Sequence, residues 1–130
     1  MTHFIVTEGQ SDKLLLLEAL RRFEDKIDVE IVVANGKKDV PSFARSLGLF
    51  ENAPVLAVMD ADTTDPSLVR KQELAFNDLV TSVALTAPLE LVLAVPTLAD
   101  VIGTDEFHEQ LKRFFEMNDL EDQTTFSYRR

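Results

Sequence analysis

His3-Phe4-Ile5-Val6-Thr7-Glu8-Gly9-Gln10-Ser11-Asp12 sets a strand, a turn and a helix start one after another. His3 to Thr7 is a short apolar and β-branched run, which reads as a buried strand. Gly9 permits a tight turn after Glu8. Ser11 has the chemistry of a helix N-cap, so a helix is expected from Asp12 to about Asp25. Leu16, Leu20, Phe23 and Ile27 fall at i, i+4, i+7 and i+11 and give that helix one apolar face.

The same alternation continues outward. Val29 to Ala34 reads as a second strand, ended by Asn35-Gly36. Pro41 suits a helix start and Gly48 a helix end, so a shorter helix is expected over Val40 to Leu47. Pro54 to Met59 is a third strand, nearly all apolar, running into Asp60. Asp65-Pro66 places a capping side chain before a first-turn proline and opens a helix to about Val80. Leu89 to Val95 is a fourth strand, stopped by Pro96. A last helix begins at Thr104 or Asp105, with Phe107, Leu111, Phe114 and Phe115 on one face. Thr81 to Pro88 is the hardest stretch to read and could hold a short extra strand. Continuous apolar strands alternating with amphipathic helices specify an α/β fold: about four mainly parallel strands, with helices on both faces. One domain is expected over residues 1–117, followed by a polar C-terminal tail over 118–130.

The chain has 130 residues and a formal net charge of −10. The charge is even along it: residues 1–65 hold 7 basic and 12 acidic side chains, and residues 66–130 hold 6 and 11. No basic arm is present to attract phosphates by its own field, so approach to nucleic acid needs a metal ion, a local lysine cluster or a partner. There are no cysteines, which excludes disulfides and thiolate metal sites and suits a cytoplasmic protein. No apolar run reaches membrane-spanning length and the start has no basic n-region, so neither a membrane segment nor a signal peptide is expected.

In open parallel sheets ligands bind outside the carboxyl ends of the strands. Two of those ends carry acids: Glu8 with Asp12 after the first strand, and Asp60-Ala61-Asp62 after the third. Residues two apart on an extended strand end point the same way, so Asp60 and Asp62 can converge. If strands one and three are neighbours, Glu8, Asp12, Asp60 and Asp62 share a small volume. Their mutual repulsion is relieved by a hard divalent cation with oxygen ligands, Mg²⁺ or Mn²⁺. Lys37 and Lys38, at the second strand end, are placed to neutralise a phosphate or a developing oxyanion. Asp65 reads as a helix cap, and His3 and His108 have no ligand spacing to one another.

Ile5-Val6-Thr7-Glu8-Gly9-Gln10-Ser11-Asp12, the Asn35-Gly36-Lys37 loop and Val58-Met59-Asp60-Ala61-Asp62 resemble, in order and spacing, the TOPRIM domain. That domain is shared by topoisomerases, bacterial primases, recombination-repair proteins, 5S-rRNA maturases and overcoming-lysogenisation-defect (OLD) nucleases. The E-G-x-S-D form is most similar to the small stand-alone and nuclease members. The resemblance implies a Rossmann-like sheet, Mg²⁺ on the aspartates, and Glu8 as metal ligand or general acid/base. From the OLD-like nucleases it implies Asp12 as a ligand to a second metal. It also implies an acid three residues beyond the proline after the fourth strand. Here that position is Ala99, with Asp100 one place later. The only tyrosine is Tyr128, in the expected tail, so the chain by itself is no topoisomerase.

The reading is therefore a metal-dependent nuclease or nuclease module, with Glu8, Lys37 and Lys38 catalytic and Glu8, Asp12, Asp60 and Asp62 holding metal. DNA, RNA and a nucleotide all stay open as substrate. The alternative is a TOPRIM-like metal-binding module that works through a partner protein such as an ATPase. Val58 to Thr64 also fits the start of the haloacid-dehalogenase phosphatase motif with Asp60 as nucleophile, but no lysine or acid pair follows on the fourth strand.

Overall fold

Apolar runs too short to cross the molecule twice bury themselves best side by side, and the five strands of this protein do so in one sheet. The computed structural model describes residues 2–23, 28–82 and 84–116, and the backbone of residues 125–129. In chain order the elements are β1 (His3–Thr7), α1 (Gln10–Leu20), β2 (Val29–Val33), a 3₁₀ turn (Lys37–Asp39), α2 (Val40–Glu51), β3 (Val55–Asp60), α3 (Pro66–Val80), β4 (Leu89–Ala94), α4 (Leu98–Val101), α5 (Asp105–Glu116) and β5 (Thr125–Arg129). The strand order is β2-β1-β3-β4-β5, and every pairing is parallel. The expected four-stranded α/β architecture is present, and a fifth strand joins its edge where the sequence reads as a polar tail.

Each sheet face has its own core, because successive side chains along a strand alternate sides. Phe4, Val6, Ala57, Met59, Leu91 and Leu93 pack under α2 and α3 through Val40, Ala44, Val69 and Phe76. Ile5, Leu56, Val58, Val92 and Ala94 pack on the opposite face against Leu16 of α1, Leu98 of α4 and Phe107, Leu111 and Phe114 of α5. Leu20 and Phe23 border this second core as the periodicity requires, while Ile27 lies outside the described residues.

Three local expectations give way. Helix α1 starts earlier than Ser11 can cap: Gly9 is its N-cap, in an extended conformation, and Ser11 falls within the first turn. Asp12 replaces it as the polar group at this end, accepting from the Gly9 amide, which is the return half of a capping box. Helix α2 does not stop at Gly48. It runs to Glu51 and turns off at Asn52 in the left-handed region, φ 51°. Gly48 is buried there for a packing reason, since a Cβ at that position would stand 3.2 Å from Leu85 Cδ2. Between Thr81 and Pro88 the described residues form turns and no strand. By contrast, Asp65 caps α3 as expected, its Oδ1 accepting from the Ser67 amide at 3.0 Å.

Candidate metal centre

The first crossover carries the chain from β1 to β2 on one side, and the second brings β3 to the other side of β1. The sheet thus reverses its winding between β1 and β3, the place where open α/β sheets bind ligands. The register opens that place. Pairing of β1 with β3 runs from Phe4↔Val55 to Val6↔Ala57, whereas β3 stays paired to β4 as far as Asp60↔Ala94. Beyond Val6 the β1–β3 seam is bridged by a side chain. Glu8 Oε2 accepts the backbone amide of Asp60 at 2.5 Å, leaving its other oxygen for a cation or a proton.

Asp60 is clamped from the far side. Its Oδ1 accepts the amide of Leu98 at 2.6 Å, at the head of the single-turn α4 that follows Pro96. Asp12 reaches the same crevice from the first turn of α1. The three carboxylates of Glu8, Asp12 and Asp60 each offer an oxygen within 4.8 Å of the others, and all three side chains are partly buried. Burial, followed by the charges of Asp60, Asp12 and Asp62, raises the Glu8 pKa above its ordinary value, against the lowering effect of the Asp60 amide. Asp60 is raised by burial and by Asp12 and Asp62, with the Leu98 amide and Lys37 acting the other way. Asp12 is raised by burial and by Asp62, opposed by the Gly9 amide. Three carboxyls that each resist ionisation, with oxygens facing one another, form a donor set of the kind a hard divalent cation satisfies.

The other expected site residues lie around this triad. Asp62 stands outside it. The ladder of β3 ends at Asp60, and Asp62 adopts a left-handed φ of 60° while its amide donates to Pro96 O. The strand alternation that would aim Asp60 and Asp62 together therefore stops one residue too early. Asp62 is exposed and pairs with Lys37, whose Nζ lies 3.4 Å from Asp62 Oδ2 and 3.2 Å from Ala61 O. Lys38 is exposed beside it. Asp100 accepts from the Thr97 hydroxyl at 2.6 Å and is not one of the triad. Two supporting contacts went unread in the sequence, the Leu98 amide on Asp60 and the Gln72 side chain on Ala61 O at 2.9 Å. Pro96 was the available signal for the first, since a proline that stops a strand often precedes a new helical turn.

Residues 2–62 match the family model for the overcoming lysogenization defect protein-like TOPRIM domain. Over this stretch the chain is similar to that TOPRIM domain. The match takes in β1 to β3 and all three acids of the triad, and ends at Asp62; the Leu98 clamp lies beyond it. Comparison with curated proteins and with solved structures returned no match. No helix of the protein, among the described residues, is long and apolar enough to cross a membrane.

Proposed function

We propose that this TOPRIM-like protein is a Mg²⁺- or Mn²⁺-dependent phosphodiester hydrolase that acts on nucleic acid. The observation that carries the reading is the convergence of Glu8, Asp12 and Asp60 at the β1–β3 crevice, with oxygens within 4.8 Å of one another. Asp60 and Asp12 would hold the cation, and Glu8 would bridge to it through the oxygen that Asp60 leaves uncommitted. When bound, a divalent ion supplies positive charge to a phosphoryl oxygen and makes a nearby water more acidic. The chain's own part is positional. The Asp60 amide and the Leu98 amide fix two carboxylates, so little reorganisation is needed as charge develops. Glu8 would either share in holding the cation or, as the carboxylate nearest the Asp60 amide, take a proton from the attacking water. Lys37 supplies a cation at the rim, balancing Asp62 until a phosphate competes for it, with Lys38 beside it for the same charge.

A second reading has one observation in its favour. The net charge of −10 gives the isolated chain little long-range attraction for a polyanion, so a partner protein, such as an ATPase, would bring the substrate. Purified protein with Mn²⁺ and a panel of single- and double-stranded DNA and RNA separates the two. Cleavage above a Glu8→Gln background supports the hydrolase, with Gln lowering turnover by about 10²-fold or more and KM changing less. If no substrate is cleaved above that background, the isolated chain is no nuclease and the partner-dependent module is the better account.

A further inference from the structure

The triad leaves the opening beside it unexplained. A groove of about 340 Å³ lies between the 3₁₀ turn with α2 and the facing side of α3. Its walls are apolar, made by Pro41, Met59, Phe76 and Leu79, and its polar groups are Lys37, Lys38 and Gln72. The size falls within the usual range of small-molecule sites, as does the pattern of apolar walls with few polar groups.

Two bonds join the groove to the metal centre, and both end on Ala61 O: one from Lys37 Nζ, one from Gln72 Nε2. The second fixes the orientation of the Gln72 amide, because a carbonyl can accept only from its nitrogen. The acceptor left over, Gln72 Oε1, is buried and has no hydrogen-bond partner among the described residues. A buried acceptor without a donor is uncommon enough to call for one.

We propose that this groove receives an unpaired nucleobase, one whose own phosphate lies at the Glu8–Asp12–Asp60 centre. The inference rests on the phosphodiester reading above and narrows it to substrates with a single-stranded or frayed nucleotide. A base fits each feature of the groove. Its faces are flat and apolar for Met59, Pro41 and Leu79. Every nucleobase carries an N–H on its Watson–Crick edge, the donor that Gln72 Oε1 lacks and would meet once its side chain turns toward the groove. The attached phosphate meets Lys37 and Lys38, a positive rim on an acidic chain. An aliphatic side chain from a protein partner would fill the walls and leave Gln72 without a donor. In a duplex the base faces are stacked and the edges paired, so only an extruded or unpaired base can enter.

The test uses the full chain with Mg²⁺ present; a mononucleotide has no phosphodiester to cleave. AMP, CMP and UMP are titrated while NMR follows the Met59 methyl and the Gln72 side-chain amide, with ribose 5-phosphate and an amphipathic peptide as comparison probes. Saturable shifts with the nucleotides are expected at both probes, and clearly smaller ones with ribose 5-phosphate, whose phosphate reaches the same lysine rim without a base. Leu79→Glu, on an exposed helix position, should weaken nucleotide binding about tenfold or more, and Gln72→Leu should weaken it less, with circular dichroism unchanged in both. Equal shifts from ribose 5-phosphate would mean that only phosphate is read and would overturn the proposal. Shifts from the peptide and none from nucleotides would make the groove a protein-docking site instead. The two readings fail separately. Cleavage by the wild type with a Met59 methyl that never responds removes the base groove and keeps the hydrolase. Nucleotide-dependent shifts without cleavage of any polymer do the reverse.

Discussion

Replacing Asp60 with Asn should change the sign of its effect on stability according to whether a divalent ion is present. The substitution keeps Oδ1, so the 2.6 Å bond from the Leu98 amide can persist. What is removed is one of three charges whose oxygens lie within 4.8 Å. Two unit charges at that distance repel by about 0.9 kcal/mol at the dielectric of water and about 3.5 kcal/mol at an effective dielectric near 20. All three groups are only partly buried, so water and salt still pull the result toward the lower figure. Relief from two neighbours then amounts to about 1–2 kcal/mol at low salt. For a chain of 130 residues this corresponds to about 3–8 °C in Tm. In EDTA the variant should therefore melt above the wild type. In Mg²⁺ the order should reverse, because the wild type gains about 2.7 kcal/mol at a hundredfold excess over Kd and the variant gains little. Differential scanning fluorimetry in the two buffers reads both signs. An Asp60→Asn protein that melts lower in EDTA and responds to Mg²⁺ like the wild type would refute both the charge conflict and the ligand role.

Three further outcomes follow from the same geometry. Lys37→Ala breaks a pair that is largely in water, so its cost should stay below about 1 kcal/mol. The Mg²⁺-dependent rise in Tm should survive in this variant while nucleic-acid KM increases, which separates substrate contact from metal binding. Glu8, Asp12 and Asp60 all have raised pKa values, so above their ordinary values of 4.5 for Glu and 3.8 for Asp the folded chain holds protons that the unfolded chain has lost. Stability in EDTA should therefore rise as pH falls from neutral toward those ordinary values. Urea titrations should show a shallower slope with pH in Asp60→Asn, and an identical slope would count against the coupling. Gly36 has φ 141° and ψ 147°, a region nearly closed to other residues, so Gly36→Ala should cost about 1–3 kcal/mol and displace Lys37, seen as a lower Tm together with a higher KM.

The legible parts of the sequence were those where one local rule acted alone. β1 has the bounds its apolar run gives, His3–Thr7, and Asp65 caps α3 as a cap followed by proline should. Glu8 and Asp60 were found because a rule about strand ends applies to any parallel sheet. Asp12 came from the helix start next to Glu8. The misses arise where tertiary contact overrides the local signal. Gly48 looked like a helix stop but is a glycine because Leu85 lies against it. Ser11 lost the cap position to Gly9, since α1 begins two residues earlier. Asp62 was read with Asp60 on the assumption of continued extension, and the backbone turns left-handed there instead. Gln72 left no local signal and Leu98 only the indirect one of Pro96, because one acts through a partner eleven residues away and the other through its backbone.

The two bonds on Asp60 have a further consequence, for the order in which the centre is built. Its amide binds Glu8 across 52 residues of sequence and its carboxylate binds Leu98 across 38. Contacts of such span form after local helices, because their loops must close first. During synthesis the three acids have all been made by the time Asp60 emerges, yet the amide that clamps the third lies 38 residues later. A nascent chain thus has the acids without the geometry. Ions captured at that stage would meet a loose, competing arrangement, so loading of the proposed centre would be a late event, completed when β4 has docked and the turn after Pro96 has closed over Asp60.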